Sequence, residues 1–279
     1  MKILSFDVGG TRLKYGEYVY DGKLKEICVN EIDSKAKLGA QPLLEQIDDI
    51  CDSFKFDMIA ISTAGMVDKN GTISYANENI PNYTGVKLKK RYSEKYGVPV
   101  YVLNDIAAGA IAETDENRKN FYYISLGTGV GGIRVIDGTP DIGENGIAGQ
   151  IGYLKSYKGD NVIDKTASAS AIESISGKDA KSVFKDAENG DKKILGYISA
   201  WAKEVMYLIG LIVGFCDPKE IIIGGGISRN KKISEYFLKE KNILPEPYRN
   251  KFTITTAKHS GMSGVIGAAK YAIGEYYGK

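Results

Sequence analysis

At 279 residues, 26% of them charged, with a formal net charge of +2, the chain can bury a sizeable core without disulfides or metals. Its length suggests two domains or one large one. No excess charge of either sign points to nucleic acid or to an anionic membrane surface. Cys28, Cys51 and Cys216 lie far apart, and His259 is the one histidine. That argues against a disulfide framework and against a zinc site of sequence-local ligands. The longest apolar stretch, 205–216, is too short to cross a bilayer. The opening MKILSFDVGG meets an acid at Asp7 before a signal-peptide core could form. A cytoplasmic protein with neither membrane nor nucleic-acid partner is expected.

Residues 2–7 read as a strand ending in Asp7; Gly9-Gly10-Thr11 turns the chain, and a second strand follows over 13–19, a hairpin signature. Leu43, Leu44, Ile47 and Ile50 give 40–54 a helical period. A buried strand over 58–61 ends in Ser62-Thr63-Ala64-Gly65, and 86–96 is a charged surface helix. Another short apolar run, 100–103, ends on Asn104-Asp105 before a small-residue helix over 106–113. The pattern then restarts with a strand over 121–126, the turn Gly127-Thr128-Gly129 and a returning strand over 130–136. DVGGTRLKYG at 7–16 and SLGTGVGGIRVI at 125–136 thus look like two copies of one device. A long helix over 191–215, a buried strand over 219–223, the run Gly224-Gly225-Gly226 with a new helix, and a final helix over 263–277 complete the reading. Alternating strands and helices predict an α/β architecture of two similar lobes, each with a mixed sheet.

The 33 glycines, about 12% of the chain against a typical ~7%, gather in short apolar-flanked clusters. Such clusters suit backbone that must approach something closely. Asp7 at a strand end can hold Mg²⁺ through water, while Gly9 and Gly10 bare their N–H groups to phosphate oxygens and Thr11 adds a hydroxyl. An ordinary glycine-turned hairpin is the competing reading. Gly127, Thr128 and Gly129 repeat the device; a triphosphate lying between two lobes would need a turn from each, although duplication without a ligand gives the same pattern. The glycines at 224–226 leave a flat surface for a planar ring. They match neither GxGxxG nor a GxxxxGK[ST] P-loop. Asn104-Asp105 sits at a strand-to-helix boundary, where α/β proteins place ligands. Asp105 is either a helix N-cap or a base that accepts a hydroxyl proton during phosphoryl transfer. His259 has no neighbouring acid motif and there is no GxSxG, so no hydrolase triad is indicated.

Taken together, the set resembles the ROK family of sugar kinases within the actin/hexokinase superfamily of ATPases, over nearly the whole chain. DVGGT at 7–11 and SLGTGVGG at 125–132 are similar to its two phosphate motifs, and IIIGGGIS at 221–228 to its adenosine motif. LNDIAAGAIAE at 103–113 is similar to the segment of the catalytic aspartate, and GENGIAGQIGY at 143–153 to its sugar motif. The resemblance implies two actin-like lobes with an ATP/sugar cleft between them. It divides the chain into an N-terminal lobe, 1–103 with the C-terminal helix from 263, and a larger lobe, 104–262. It implies ATP-dependent phosphorylation of a hexose-type hydroxyl, usually the 6-OH, commonly by a homodimer. Asp105 would be the base, Asp7 would help hold Mg²⁺-ATP, and Gly9, Gly10, Thr11, Gly127, Thr128, Gly129, Gly225 and Gly226 would bind the nucleotide. Gly65, Asn82, Asn104, Asp105, Gln150, Tyr153 and Asp164 would meet the sugar.

This chain departs from the family pattern in the sugar motif. Gln150 stands where the family has glutamate and Tyr153 where it has histidine; the stretch LKSYKGDNVIDKTAS lacks the downstream cysteines that complete a structural zinc site in most members. Zinc is therefore not expected. A zinc-lacking subgroup with tyrosine at this position resembles the N-acetylmannosamine kinases of sialic acid catabolism. Tyrosine offers a hydroxyl and a ring face to an N-acetyl group, and glutamine both donates and accepts. Glucose, N-acetylglucosamine and β-glucosides are the alternative acceptors. The family also contains sugar-sensing repressors, but their N-terminal helix-turn-helix has no place ahead of a motif that begins at Asp7. An ATPase module without sugar transfer is the remaining reading.

Overall fold

The structure, a computed structural model, describes residues 1–278. In chain order the strands are β1 Lys2–Val8, β2 Arg12–Tyr20, β3 Leu24–Asp33, β4 Met58–Thr63, β5 Met66–Val67, β6 Ile73–Tyr75, β7 Val100–Asn104, β8 Phe121–Leu126, β9 Val130–Ile136, β10 Thr139–Pro140, β11 Glu220–Gly224 and β12 Thr253–Thr256. The helices are α1 Ala40–Cys51, α2 Leu88–Tyr96, α3 Asp105–Ala112, α4 Ile163–Ala167, α5 Ala169–Ser176, α6 Ala180–Glu188, α7 Lys192–Cys216, α8 Ile233–Lys239 and α9 Ser263–Tyr277.

The chain folds as two compact units. Residues 1–114, 142–147 and the segment from Met262 onward form the first; 115–141 and 148–261 form the second. The boundary therefore falls after Thr114, not after residue 103. Strand β7 runs directly into α3, and α3 packs so tightly on α9 that a Cβ at Gly267 would lie 1.8 Å from the Ala108 carbonyl oxygen. The GENGIAGQIGY motif is likewise divided, 143–147 grouping with the first unit and 148–153 with the second.

The first unit is built on a five-stranded sheet of order β3-β2-β1-β4-β7. Here β1, β2 and β3 form an antiparallel meander, and β4 and β7 add parallel to β1. The second unit repeats the plan, with order β10-β9-β8-β11-β12, an antiparallel β8–β9–β10 meander and parallel β11 and β12. The repeated glycine hairpin of the sequence is thus the start of a repeated mixed sheet. Each parallel step uses helical crossovers, so both faces of the central strands are covered and read as continuous apolar runs. β4 is buried at every residue.

The first core gathers Leu4, Phe6, Ile59 and Ile61 of the sheet against Leu43 and Ile47 of α1 and Tyr92 of α2. In the second, α7 lays Trp201, Val205, Leu208 and Ile209 on Ile124, Leu126, Ile221 and Ile223. The Trp201 indole N–H donates to the carbonyls of Ala167 and Ser168, at 3.0 and 2.9 Å. By length and composition α7 is the one helix among the described residues that could cross a membrane. Its 25 residues exceed the apolar stretch read from sequence, and its apolar side forms this core.

Candidate active site

The parallel strands β1, β4 and β7 end side by side, with Val8 opposite Thr63 and Thr63 opposite Asn104. This is the carboxyl edge where open α/β sheets place ligands. Asp7 lies one residue inside that edge. Ser62 Oγ donates to Asp7 Oδ1 at 3.1 Å, and Lys14, directly opposite Asp7 across the β1–β2 pair, brings its Nζ to 3.8 Å from Oδ2. Gly264, in the first turn of α9, has no room for a Cβ, which would fall 2.2 Å from Asp7 Cγ. Burial pushes the Asp7 carboxyl upward, against the opposing pull of Lys14 and Ser62.

Asp105 is not the helix cap. Asn104 caps α3, its Oδ1 accepting from the Ile106 N–H at 2.8 Å, and Asp105 is the first helical residue. Asn104 Nδ2 donates to the Gly65 carbonyl at 2.7 Å and to Asp105 Oδ1 at 2.9 Å, so both amide hydrogens are spent inside the protein. Gly65 is required here: its φ is +98°, and a Cβ would lie 2.8 Å from the Tyr75 carbonyl oxygen. Solvent reaches Asp105, as it must reach any group that meets an incoming hydroxyl. Protein nevertheless surrounds the carboxyl closely enough that burial, and then the negative charge of Asp7, push it up to about 7. Asn82 is exposed in the loop between β6 and α2, with a left-handed φ of 59°. That loop lies against the first glycine turn, since a Cβ on Gly10 would be 3.5 Å from Asn79 Cβ. The turn itself is closed by the Gly9 N–H donating to the Arg12 carbonyl at 3.1 Å.

In the second unit, the Gly127 N–H donates to the Gly129 carbonyl at 3.0 Å, closing the turn that carries Thr128. The Asp164 carboxylate sits under this turn: Oδ1 accepts from the Val130 N–H at 2.6 Å, and a Cβ on Gly152 would lie 2.1 Å from it. Gln150 opens the short helical turn Ile151–Tyr153, which is pinned to β9 by the Gly132 N–H donating to the Gly149 carbonyl at 2.9 Å. Tyr153 is 59% exposed. Gly127–Gly129, Gln150, Tyr153 and Asp164 therefore share one neighbourhood. At the end of β11, Gly225 touches the end of β8, a Cβ there lying 2.4 Å from the Leu126 carbonyl oxygen. Gly127 and Gly226 differ from these: neither has a positive φ, and a Cβ on either meets nothing within 4 Å. Packing demands glycine at neither position, and the space before their backbone is open to a ligand.

The structure thus groups Asp7, Gly9, Gly10, Thr11, Gly65, Asn82, Asn104 and Asp105 within the first unit, and the remaining candidates within the second. Sequence reasoning missed Lys14, Ser62 and Gly264. The hairpin register could have paired Lys14 with Asp7; no local signal links Gly264 to a residue so far away in sequence.

A ROK family model matches residues 3–275. An uncharacterized protein of Clostridium perfringens is 31% identical, aligned over 94% of each chain. The N-acetylmannosamine kinase of Haemophilus influenzae is 28% identical over 96% of this chain and 94% of its own. Among solved structures, a ROK family glucokinase from Streptomyces griseus in complex with glucose and AMPPNP superposes with a TM-score of 0.82, covering 98% of this chain and 99% of its own at 21% identity. The two mixed sheets are those of the actin-like fold that the sequence resemblance implied. With a family match over nearly its whole length and a relative above 30% identity, the chain belongs to the ROK family.

Proposed function

We propose that this ROK-family carbohydrate kinase transfers the γ-phosphoryl group of ATP to a hydroxyl of a hexose or N-acylhexosamine, with the 6-hydroxyl of N-acetylmannosamine as the favoured acceptor. The observation that carries the reading is Asp105. Its carboxyl stands at the carboxyl end of β7, is held by Asn104, remains open to solvent and is pushed up to about 7. A base with that affinity is half ionised near neutrality, where proton abstraction and the return of the proton are both accessible. Asp105 takes the proton of the attacking hydroxyl as the oxygen closes on phosphorus. Asn104, its amide hydrogens already committed, keeps the carboxylate in place.

In this reading Asp7, Gly10 and Thr11 take the nucleotide's phosphates in the first unit, while the Gly9 N–H, expected from the sequence to be bare, is instead given to the Arg12 carbonyl and shapes the turn. Gly127, Thr128 and Gly129 take phosphate in the second, where Gly225 and Gly226 meet the adenosine. The open space before Gly127 and Gly226 fits such a ligand. The oxygen of Asp7 suits Mg²⁺ through water, and the bound ion supplies charge neutralisation on the phosphates. Lys14 balances the Asp7 charge. Gly65 and Asn82 of the first unit and Gln150, Tyr153 and Asp164 of the second are assigned to the sugar, with Asn104 as an acceptor through the second lone pair of its Oδ1, its two amide hydrogens being spent. No zinc is assigned a role. Relatives that are N-acetylmannosamine kinases, at 25–28% identity, support the choice of acceptor, as do the hydroxyl of Tyr153 and the amide of Gln150. The reading places the enzyme in the cytoplasm, with the ATP it consumes, as a homodimer acting in sialic acid catabolism.

The test is ADP release with N-acetylmannosamine, glucose, N-acetylglucosamine and a β-glucoside as acceptors. The highest kcat/KM is expected with N-acetylmannosamine. A higher value with another sugar would replace the acceptor, and ADP release that no sugar stimulates would overturn the kinase reading.

A further inference from the structure

We propose that Tyr83 and Thr63 are positioning residues for the acceptor: their hydroxyl pair pins the 76–85 loop, and with it Asn82, to the strand end beside Asn104. The inference rests on the sugar-kinase reading above. Thr63 is the last residue of β4, fully buried and in register with Val8 on one side and Asn104 on the other. Its Oγ1 lies 3.1 Å from the Ala64 carbonyl oxygen and 2.9 Å from Tyr83 Oη. A threonine hydroxyl has one proton. With that proton given to Ala64, Tyr83 is the donor to Thr63.

The Tyr83 ring is 1% exposed and belongs to the core of the first unit. A hydroxyl buried there without a partner is costly, so the pair fixes where the ring can sit. The residue just before it, Asn82, is exposed with a left-handed φ of 59°, which asparagine adopts readily, so its place is set by what holds the loop. Three of the grips on that loop reach the rest of the unit. The Pro81 carbonyl accepts from the Ala40 N–H at 2.9 Å, Asn79 lies against Gly10, and Tyr83 reaches Thr63. The third grip is the one aimed at the chemistry. Two residues beyond Thr63, the Gly65 carbonyl accepts from Asn104, which in turn holds Asp105.

Loss of the Tyr83 hydroxyl leaves the ring, the Asp105 carboxyl and the nucleotide turns in place, but loosens the loop. Tyr83→Phe and Thr63→Val are therefore expected to raise KM for N-acetylmannosamine about three- to tenfold, with kcat and KM for ATP within about twofold of the parent. Thr63→Ser, which keeps the hydroxyl, is expected to restore the parent KM. Hydrogen exchange of the 77–85 amides supplies a readout that needs no activity, and faster exchange in Tyr83→Phe is expected with the melting transition retained. Unchanged exchange, an unchanged sugar KM, or an ATP KM that rises in step with it would each overturn the inference while leaving the kinase reading intact. Absence of sugar-dependent ADP release in the parent would instead overturn that reading, and the inference with it.

Discussion

Asp105→Asn separates chemistry from architecture more cleanly than any other single change. Asparagine keeps the side-chain length and retains an oxygen to accept from Asn104 Nδ2, now at 2.9 Å. The cap made by Asn104 on the Ile106 N–H does not involve the substituted atoms. What disappears is the proton acceptor. A positioned base is worth roughly 10²–10⁴-fold, or about 2.7–5.5 kcal/mol of barrier. A loss of that size in kcat is expected, with ATP affinity unchanged by calorimetry. The pH profile supplies the second arm. Because the carboxyl is pushed up to about 7 by burial and by Asp7, the parent rate is expected to level off near pH 8 and to fall about tenfold per unit below about pH 6. The residual activity of the variant should lack that limb. ADP release at saturating ATP and sugar reads the loss in kcat, and kcat/KM for the sugar across pH, which reports the enzyme before the sugar binds, reads the acid limb. A variant within about tenfold of the parent, or one that keeps the acid limb, would refute the assignment of Asp105 as base.

Three further outcomes follow from the same geometry. Gly264→Ala places a methyl 2.2 Å from Asp7 Cγ and is expected to cost about 1–3 kcal/mol of stability by denaturant unfolding. Adding Asp7→Ala should return most of the stability and none of the activity, and a fully stable single variant would show that the contact relaxes freely. Gly127→Ala meets nothing within 4 Å, so its melting temperature should match or exceed the parent's. Its KM for ATP should rise about tenfold or more; normal ATP kinetics would remove Gly127 from the nucleotide site. The stability profile with pH has a fixed sign: folded Asp105 keeps its proton up to about 7 while the unfolded chain releases it near 4. Stability is therefore lost as pH rises through that window, and Asp105→Asn should flatten the slope; equal slopes in parent and variant would contradict the raised carboxyl.

The repeated device and the polar residues at its strand ends are legible in the sequence. Short apolar runs ending on Asp7, on Asn104-Asp105 and on Gly224 could be read because buried parallel strands are continuously apolar and stop where polar residues begin. The elements that escaped were those without such a signal. β3 is a largely exposed edge strand whose charged residues hide its period. The short helices α4–α6 were also missed, since brief segments carry little periodicity. Tertiary structure alone decided the rest of the site. Which of Asn104 and Asp105 caps the helix depends on where Gly65 presents its carbonyl. The raised carboxyl of Asp105 depends first on burial and then on the charge of Asp7, which lies on β1, separated from β7 by β4 in the sheet. Lys14 meets Asp7 through strand register, and Gly264 and Thr63 gain their meaning from atoms that only folding brings near. Sequence specifies residue types and local period; burial, register and close approach across long separations exist only once the chain has folded.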